Sequence, residues 1–254
     1  MSTPTDLDEH LSHAGELVQP LSTRAQVEAD VALLQLMWLA SPALPVGGFS
    51  HSEGLESAVD AGLVANEAQA RDWLVAQLSL ALARSELPAL AEAHTAWSAH
   101  DTTSANAVNG WLRRTRETAE QRAQAEQMGR ALVDWLRHGP HAADARIAAL
   151  AALDGVPLWP TAFALAAVLA GATSRQALLA FAWGWAENMA QAAMKSVPLG
   201  QVAAQHILSA LAAEIPTAVT IALATSAEDR QAFTPMWAIL SSRHEAQYSR
   251  LFRS

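Results

Sequence analysis

The residues with chemistry to offer are not spaced as a catalyst. PALPVGGFSHSEGLE, residues 42–56, is the densest stretch, with a double glycine, two serines, a histidine and two glutamates. A phosphate loop of the Walker type would need a lysine after its second glycine, to neutralise the charge that the backbone N–H groups cradle. Gly48 is followed instead by Glu53 and Gly54. A hydrolase elbow needs Gly-x-Ser-x-Gly, and Gly48-Phe49-Ser50 is followed by His51-Ser52. The nine histidines include no i, i+4 pair to chelate a metal on one helix face: His94 and His100 are six apart, His138 and His141 flank Gly-Pro, and His10 and His13 fall in an acidic stretch. His206 reads as a hydrogen-bonded core histidine and His51 as a surface or interface one. No cysteine is present, which removes thiolate nucleophiles, thiolate metal sites and disulfides together. No histidine, carboxylate or serine constellation reads as a catalytic site, and no spacing reads as a lasting metal site.

Four stretches stand out, the last three of them for more than a structural reason. In the first, Ser50 and Glu53 have capping-box spacing, which predicts a helix from there to Ala61, stopped by Gly62. The second, RRTRETAEQRAQAEQMGR (113–130), has five arginines and three glutamates; its charge reaches round more than one face, as a polar interface would require. The third, WAENMAQAAMKSVPLGQ (185–201), brings the only lysine, Lys195, to a helix C-terminus, where either the helix dipole or a partner accounts for it. The fourth, HEAQYSRLFRS (244–254), gives a helical stripe of Tyr248, Leu251 and Phe252, flanked by Arg250 and Arg253. Aromatics and arginine are typical binding anchors, so 241–254 reads as a docking segment.

The elements that must position these residues are helices. Alanine and leucine dominate, and period-two runs of β-branched residues are scarce. Leu33, Leu36, Met37 and Ala40 form one expected apolar face. Asn66 caps a helix carrying Leu74, Leu78 and Leu82, and Pro88 opens another. Asp101–Asn106 reads as a break before a long helix ending near Arg137. Further helices are expected at 144–153, 160–172, 175–195, 199–214 and 216–225, with a box-like start at Ser226/Asp229 and a last helix from Pro235. Central helices apolar nearly all round must be wrapped by others. The fold class is therefore all-α, a single globular bundle of roughly ten helices with several fully buried, over residues 26–254. Residues 1–25 read as a disordered acidic tail, since the first thirty positions carry −5 of the net −9. That charge opposes nucleic acid as a partner. No signal peptide is evident, and the longest apolar run, 162–172, is about half the roughly 20 residues of a membrane span. A soluble, cytoplasmic protein without a membrane role is expected. An all-α enzyme or ligand-binding protein with a pocket around Trp159, Trp183 and Trp185 is the alternative.

Together, PALPVGGFSHSEGLE, RETAEQRAQAEQMGRAL, MKSVPLGQ and HEAQYSRLFRS resemble the UreF family of urease accessory proteins, in order and from residue 42 to the end. His51 and Glu53 stand where the family often has an aromatic and a glutamine. The resemblance implies a non-catalytic, all-α protein that helps insert nickel into apo-urease, dimerises, binds UreD (also called UreH) and recruits the GTPase UreG. It implies that Tyr248, Arg250, Leu251, Phe252 and Arg253 belong to the UreD-docking segment. Phe49, His51 and Glu53 would belong to a loop near the assembling complex, and Lys195 to a position linked to GTPase control. Nickel would be handled by the complex.

Overall fold

The computed structural model describes residues 23–253. Among these the chain forms eleven α-helices and no strand: α1 (Thr23–Ala40), α2 (Leu55–Asp60), α3 (Glu67–Leu80), α4 (Glu86–Ser98), α5 (Thr102–Arg114), α6 (Ala119–Arg137), α7 (Ala145–Ala151), α8 (Trp159–Leu169), α9 (Ser174–Ser196), α10 (Gln201–Ala224) and α11 (Pro235–Glu245). Short 3-10 turns occupy Gly48–Ser50 and Leu82–Arg84. The tail expected over residues 1–25 falls outside the described residues up to position 22.

Local signals start most of these helices. Asn66, Asp101, Thr118 and Asp144 each accept a backbone N–H of the first turn, and Thr173 with Gln176 makes a reciprocal capping box. Gly62, at φ +70, follows the end of α2 as expected.

The core is built around α8. Every residue from Pro160 to Ala167 is buried, so neighbours must cover all of its sides. α4 and α6 pack along it, and α1, α5, α7 and α9 close the remainder. Two side chains of α4 fix the register by bonding to backbone at either end of α8: Trp97 Nε1 donates to the Thr161 carbonyl at 3.1 Å and His94 Nε2 to the Ala172 carbonyl at 2.9 Å. Burial lowers the pKa of His94, consistent with a neutral ring. Fully buried Asn109 on α5 holds the connection into α8, donating to Val156 O and accepting from Leu158 N. Along α9 lies α10, which also packs on α3. Among the described residues α10 is the one helix long and apolar enough to cross a membrane by length and composition.

Four boundaries differ from the sequence expectation. Asp101–Asn106 is the start of a helix, because Asp101 caps it, and the long helix divides at Thr115–Thr118, where Thr118 caps α6. Residues 201–224 form one helix through Pro216 where two were expected, since Ile207, Leu211, Ile215, Val219 and Ala222 make one continuous buried stripe across the proline. Ser226 and Asp229 bond reciprocally in a turn without starting a helix. On α1 the buried face is Leu36, Leu39 and Ala40, while Leu33 and Met37 are exposed.

Gly129 lets α6 approach the 157–158 backbone: a Cβ there would overlap the Pro157 carbonyl. The neighbour is backbone and cannot swing away, so Gly129→Ala should destabilise by about 1–3 kcal/mol, the range of overpacked cores, read as a lower urea midpoint at unchanged m-value.

Candidate docking interface

Loop 47–54 does not form the expected capping box. Ser50 Oγ donates to the Gly47 carbonyl at 2.6 Å, and α2 begins only after Gly54, with no side-chain cap. Glu53 sits at φ +50 between glycines at φ +79 and +81, which turns its carboxyl inward. There Oε2 accepts from Gln77 Nε2 and Trp185 Nε1, both at 3.0 Å, and Oε1 from Gln124 Nε2 at 2.9 Å. One carboxyl thus ties the loop to α3, α9 and α6. Burial, then the Glu86 charge, push its pKa up to about 7, against the opposing N–H donors and Arg116. It faces a cavity of about 60 Å³, lined also by Phe49, Trp159, Asn188 and Trp237. Two residues earlier, His51 is 3% exposed, so within the chain it is a buried histidine and not the surface or interface one expected. Burial, then Arg253, lower its pKa to about 4.

The C-terminal segment folds back onto this loop. His244 on α11 is fully buried, with Nδ1 2.8 Å from Glu120 Oε2 and Nε2 3.1 Å from Glu56 Oε2. Each carboxylate also grips the tail: Glu56 accepts the Leu251 and Phe252 N–H groups at 2.7 and 3.0 Å, and Glu120 accepts Arg250 Nη1 at 2.7 Å. Arg253 N–H donates to the Ser50 carbonyl at 2.8 Å, which joins tail to loop directly. Phe252 is buried, with Lys195 Nζ 5.7 Å from its ring centroid at the end of α9.

The structure therefore gathers Phe49, His51, Glu53, Lys195, Arg250, Phe252 and Arg253 at one end of the molecule. The tail is not the expected helix, because its N–H groups bond to Glu56 and Ser50 instead of to one another. Tyr248, Leu251 and Phe49 point outward, at 106%, 70% and 60% exposure, while Phe252 and the Arg250 head are engaged within the chain. Sequence reasoning missed Glu56, Glu120 and the bridging role of His244, which come from stretches more than sixty residues apart and have no shared spacing. His206, expected in the core, is exposed and paired with Glu67 at 3.0 Å. The charged helix also turns inward in part: Arg116 pairs with Glu86 at 2.5 Å in the interior, and Arg113 reaches Val156 O and Glu126. Among the described residues no group of three His, Asp or Glu side chains converges as a metal cage.

Among the described residues no metal cage converges, and the loop and the tail meet at one surface with Phe49, Tyr248 and Leu251 outward. A sequence model of the UreF family matches residues 64–212. The chain is 57% identical over 235 residues to the urease accessory protein UreF of Polaromonas sp., covering 92% of this chain and all of that protein. It is 58% identical to that of Methylibium petroleiphilum (87% and 94% covered) and 57% identical to that of Paracidovorax citrulli (95% and 96%). The chain belongs to the UreF family of urease accessory proteins, and is an accessory protein, not an enzyme.

Removing the ring of His244 would leave two carboxylates facing each other in the interior. His244→Ala should cost roughly 3–5 kcal/mol, typical of breaking a buried charge bridge. Trypsin should then cleave after Arg250 faster than in the parent chain, and denaturant titration reads the stability loss.

Proposed function

We propose that the chain is a non-catalytic scaffold for nickel insertion into apo-urease, bridging UreD/UreH and the GTPase UreG and controlling GTP hydrolysis so that nickel is released at its target. The observation that carries this is the single surface made by loop and tail. Its inner residues are fixed by a buried charge network, and its outer residues Phe49, Tyr248 and Leu251 have large apolar area left to bury. Pre-ordered anchors lose little entropy on binding, which suits a docking face. Lys195, exposed at the rim and braced by Phe252, supplies a cation for the GTPase contact. Nickel is cargo passed between partners, held by no lasting cage in this chain.

A homodimer is part of the proposal. Val27, Val31, Leu34 and Trp38 make a stripe at i, i+4, i+7, i+11 on α1, each about half exposed, which a second copy would cover. A cytoplasmic setting fits the lack of cysteine. The tryptophan-pocket alternative is weaker: Trp159 and Trp185 do line the cavity and Trp183 is partly exposed, but the space holds about four waters and no organic cofactor.

Co-expression with UreD and UreG, followed by light scattering with and without GTP and nickel, should give a heteromer with this chain at its centre. The double variant Tyr248→Ala/Leu251→Ala should lower UreD capture at least tenfold with an unchanged melting temperature, as loss of two exposed anchors would. Undiminished capture removes the tail from the interface.

A further inference from the structure

The first half of α1 is bare. From Arg24 to Leu34 no residue is buried, and the stripe of Val27, Val31, Leu34 and Trp38 stands 58%, 47%, 65% and 51% exposed. A soluble protein seldom leaves a contiguous apolar face of this length without something to cover it. The stripe runs into an open groove, where Trp38 meets Trp135 edge-on at 5.1 Å between ring centroids, beside Pro45 and Pro140.

The residues that precede α1 carry a matching stripe. Leu7, Leu11, Ala14 and Val18 repeat the i, i+4, i+7, i+11 spacing of Val27, Val31, Leu34 and Trp38. The intervals read the same in both directions, so an antiparallel pair sets Leu7 against Trp38, Leu11 against Leu34, Ala14 against Val31 and Val18 against Val27. Between the stripes, Gln19-Pro20-Leu21-Ser22 is a connection of the length that an αα-hairpin uses, and Pro20 disfavours helix just before it. At the far end Thr5 and Asp8 have capping-box spacing, and Asp6, Asp8 and Glu9 fall in a first turn, where the helix dipole favours acid. In this register Asp8 falls beside Gln35, His10 beside Met37, Gly15 beside Glu28 and Leu17 beside Asp30, so no two like charges meet across the pair, and Asp6, Glu9 and Glu16 take outward positions.

We propose that residues 6–19 fold back along α1 as an antiparallel helix and cover its stripe within the same chain, with Leu7 closing the Trp38–Trp135 groove. Alone, this segment is too acidic, too short and, with Gly15, too weak a helix former to stay folded. The bare face of α1 supplies the apolar partner it lacks. Because it is tethered, the segment meets that face at an effective concentration in the millimolar range, which a free second copy in dilute solution does not match. A second copy would then reach the stripe only by displacing the segment, and this consequence alone rests on the homodimer proposed above.

The chain has no cysteine, so an introduced pair reports without interference. In the full chain, Ala14→Cys/Val31→Cys joins two residues of the register, while Ser12→Cys/Val31→Cys moves the first cysteine to the opposite face of the segment. Under mild oxidation of dilute protein, the first pair should close an intrachain disulfide at least about tenfold faster than the second, because a bridge needs Cα atoms within roughly 7 Å of each other. Equal rates mean a segment that is not seated and overturn the proposal. A bond formed only between chains assigns the stripe to a second copy and overturns it as well. If either variant fails to fold, nuclear Overhauser contacts between the Leu11 and Leu34 methyls of the parent chain decide: contacts within one chain support the proposal, and their absence overturns it. Light scattering of the parent reads the homodimer separately. A monomer with an intrachain bond sinks that reading and keeps this one, and a dimer bonded only between chains does the reverse.

Discussion

A helix that is apolar on every side has nowhere to stand except inside, and α8 imposes that constraint on the rest of the chain. Eight consecutive buried residues, with Phe163 and Leu165 among them, each favour burial by roughly 1.5–3 kcal/mol when large, and no single neighbour can cover them. α4 and α6 take two sides, and α9 and its companions the others. Close approach then decides composition: alanine fills the contact positions of α4 and α9, and Gly129 admits the backbone that leads into α8.

Once α8 is wrapped, the ends of the helices and their loops leave polar backbone near the interior, and side chains satisfy it. Asn109, Trp97 and His94 do this at the two ends of α8. At the loop and tail the same task falls to charged groups. Glu56 accepts two tail N–H groups that no helix satisfies, and His244 makes it tolerable for Glu56 and Glu120 to approach one another. Buried charges of this kind add little net stability but are severe about geometry, since removing one strands the other. The tail is consequently held in one position, though its apolar residues alone are too few to define one.

That division of labour suits an accessory protein. The interior supplies rigidity, and the polar clamp transfers it to a surface whose outward residues are free to meet partners. Glu53 and His51 sit where the two regimes meet, in a loop packed too tightly to hydrate them and too polar to be core. The exposed stripe on α1 lies on a different element from the clamp, so the self-association and the partner docking proposed above would use different residues.

Much of the fold was legible locally. The cap at Asn66, the helix starting at 144, the apolar α8, and the Pro235 start are short-range features that helices reveal by period and by their first turn. The departures had two causes: local caps at Asp101 and Thr118 went unread, and elsewhere long-range packing overrode a local cue, as where the stripe from Ile207 to Ala222 carried α10 through Pro216, or where Glu53 turned to three distant helices instead of capping its own. Family membership was legible too, because ordered motifs survive in sequence. By itself the sequence determined an all-helical body, its family and the stretches that matter. The tertiary structure alone decided which of those residues face inward, because Glu56, Glu120 and His244 meet only when three separate helices pack, and no spacing along the chain encodes that meeting.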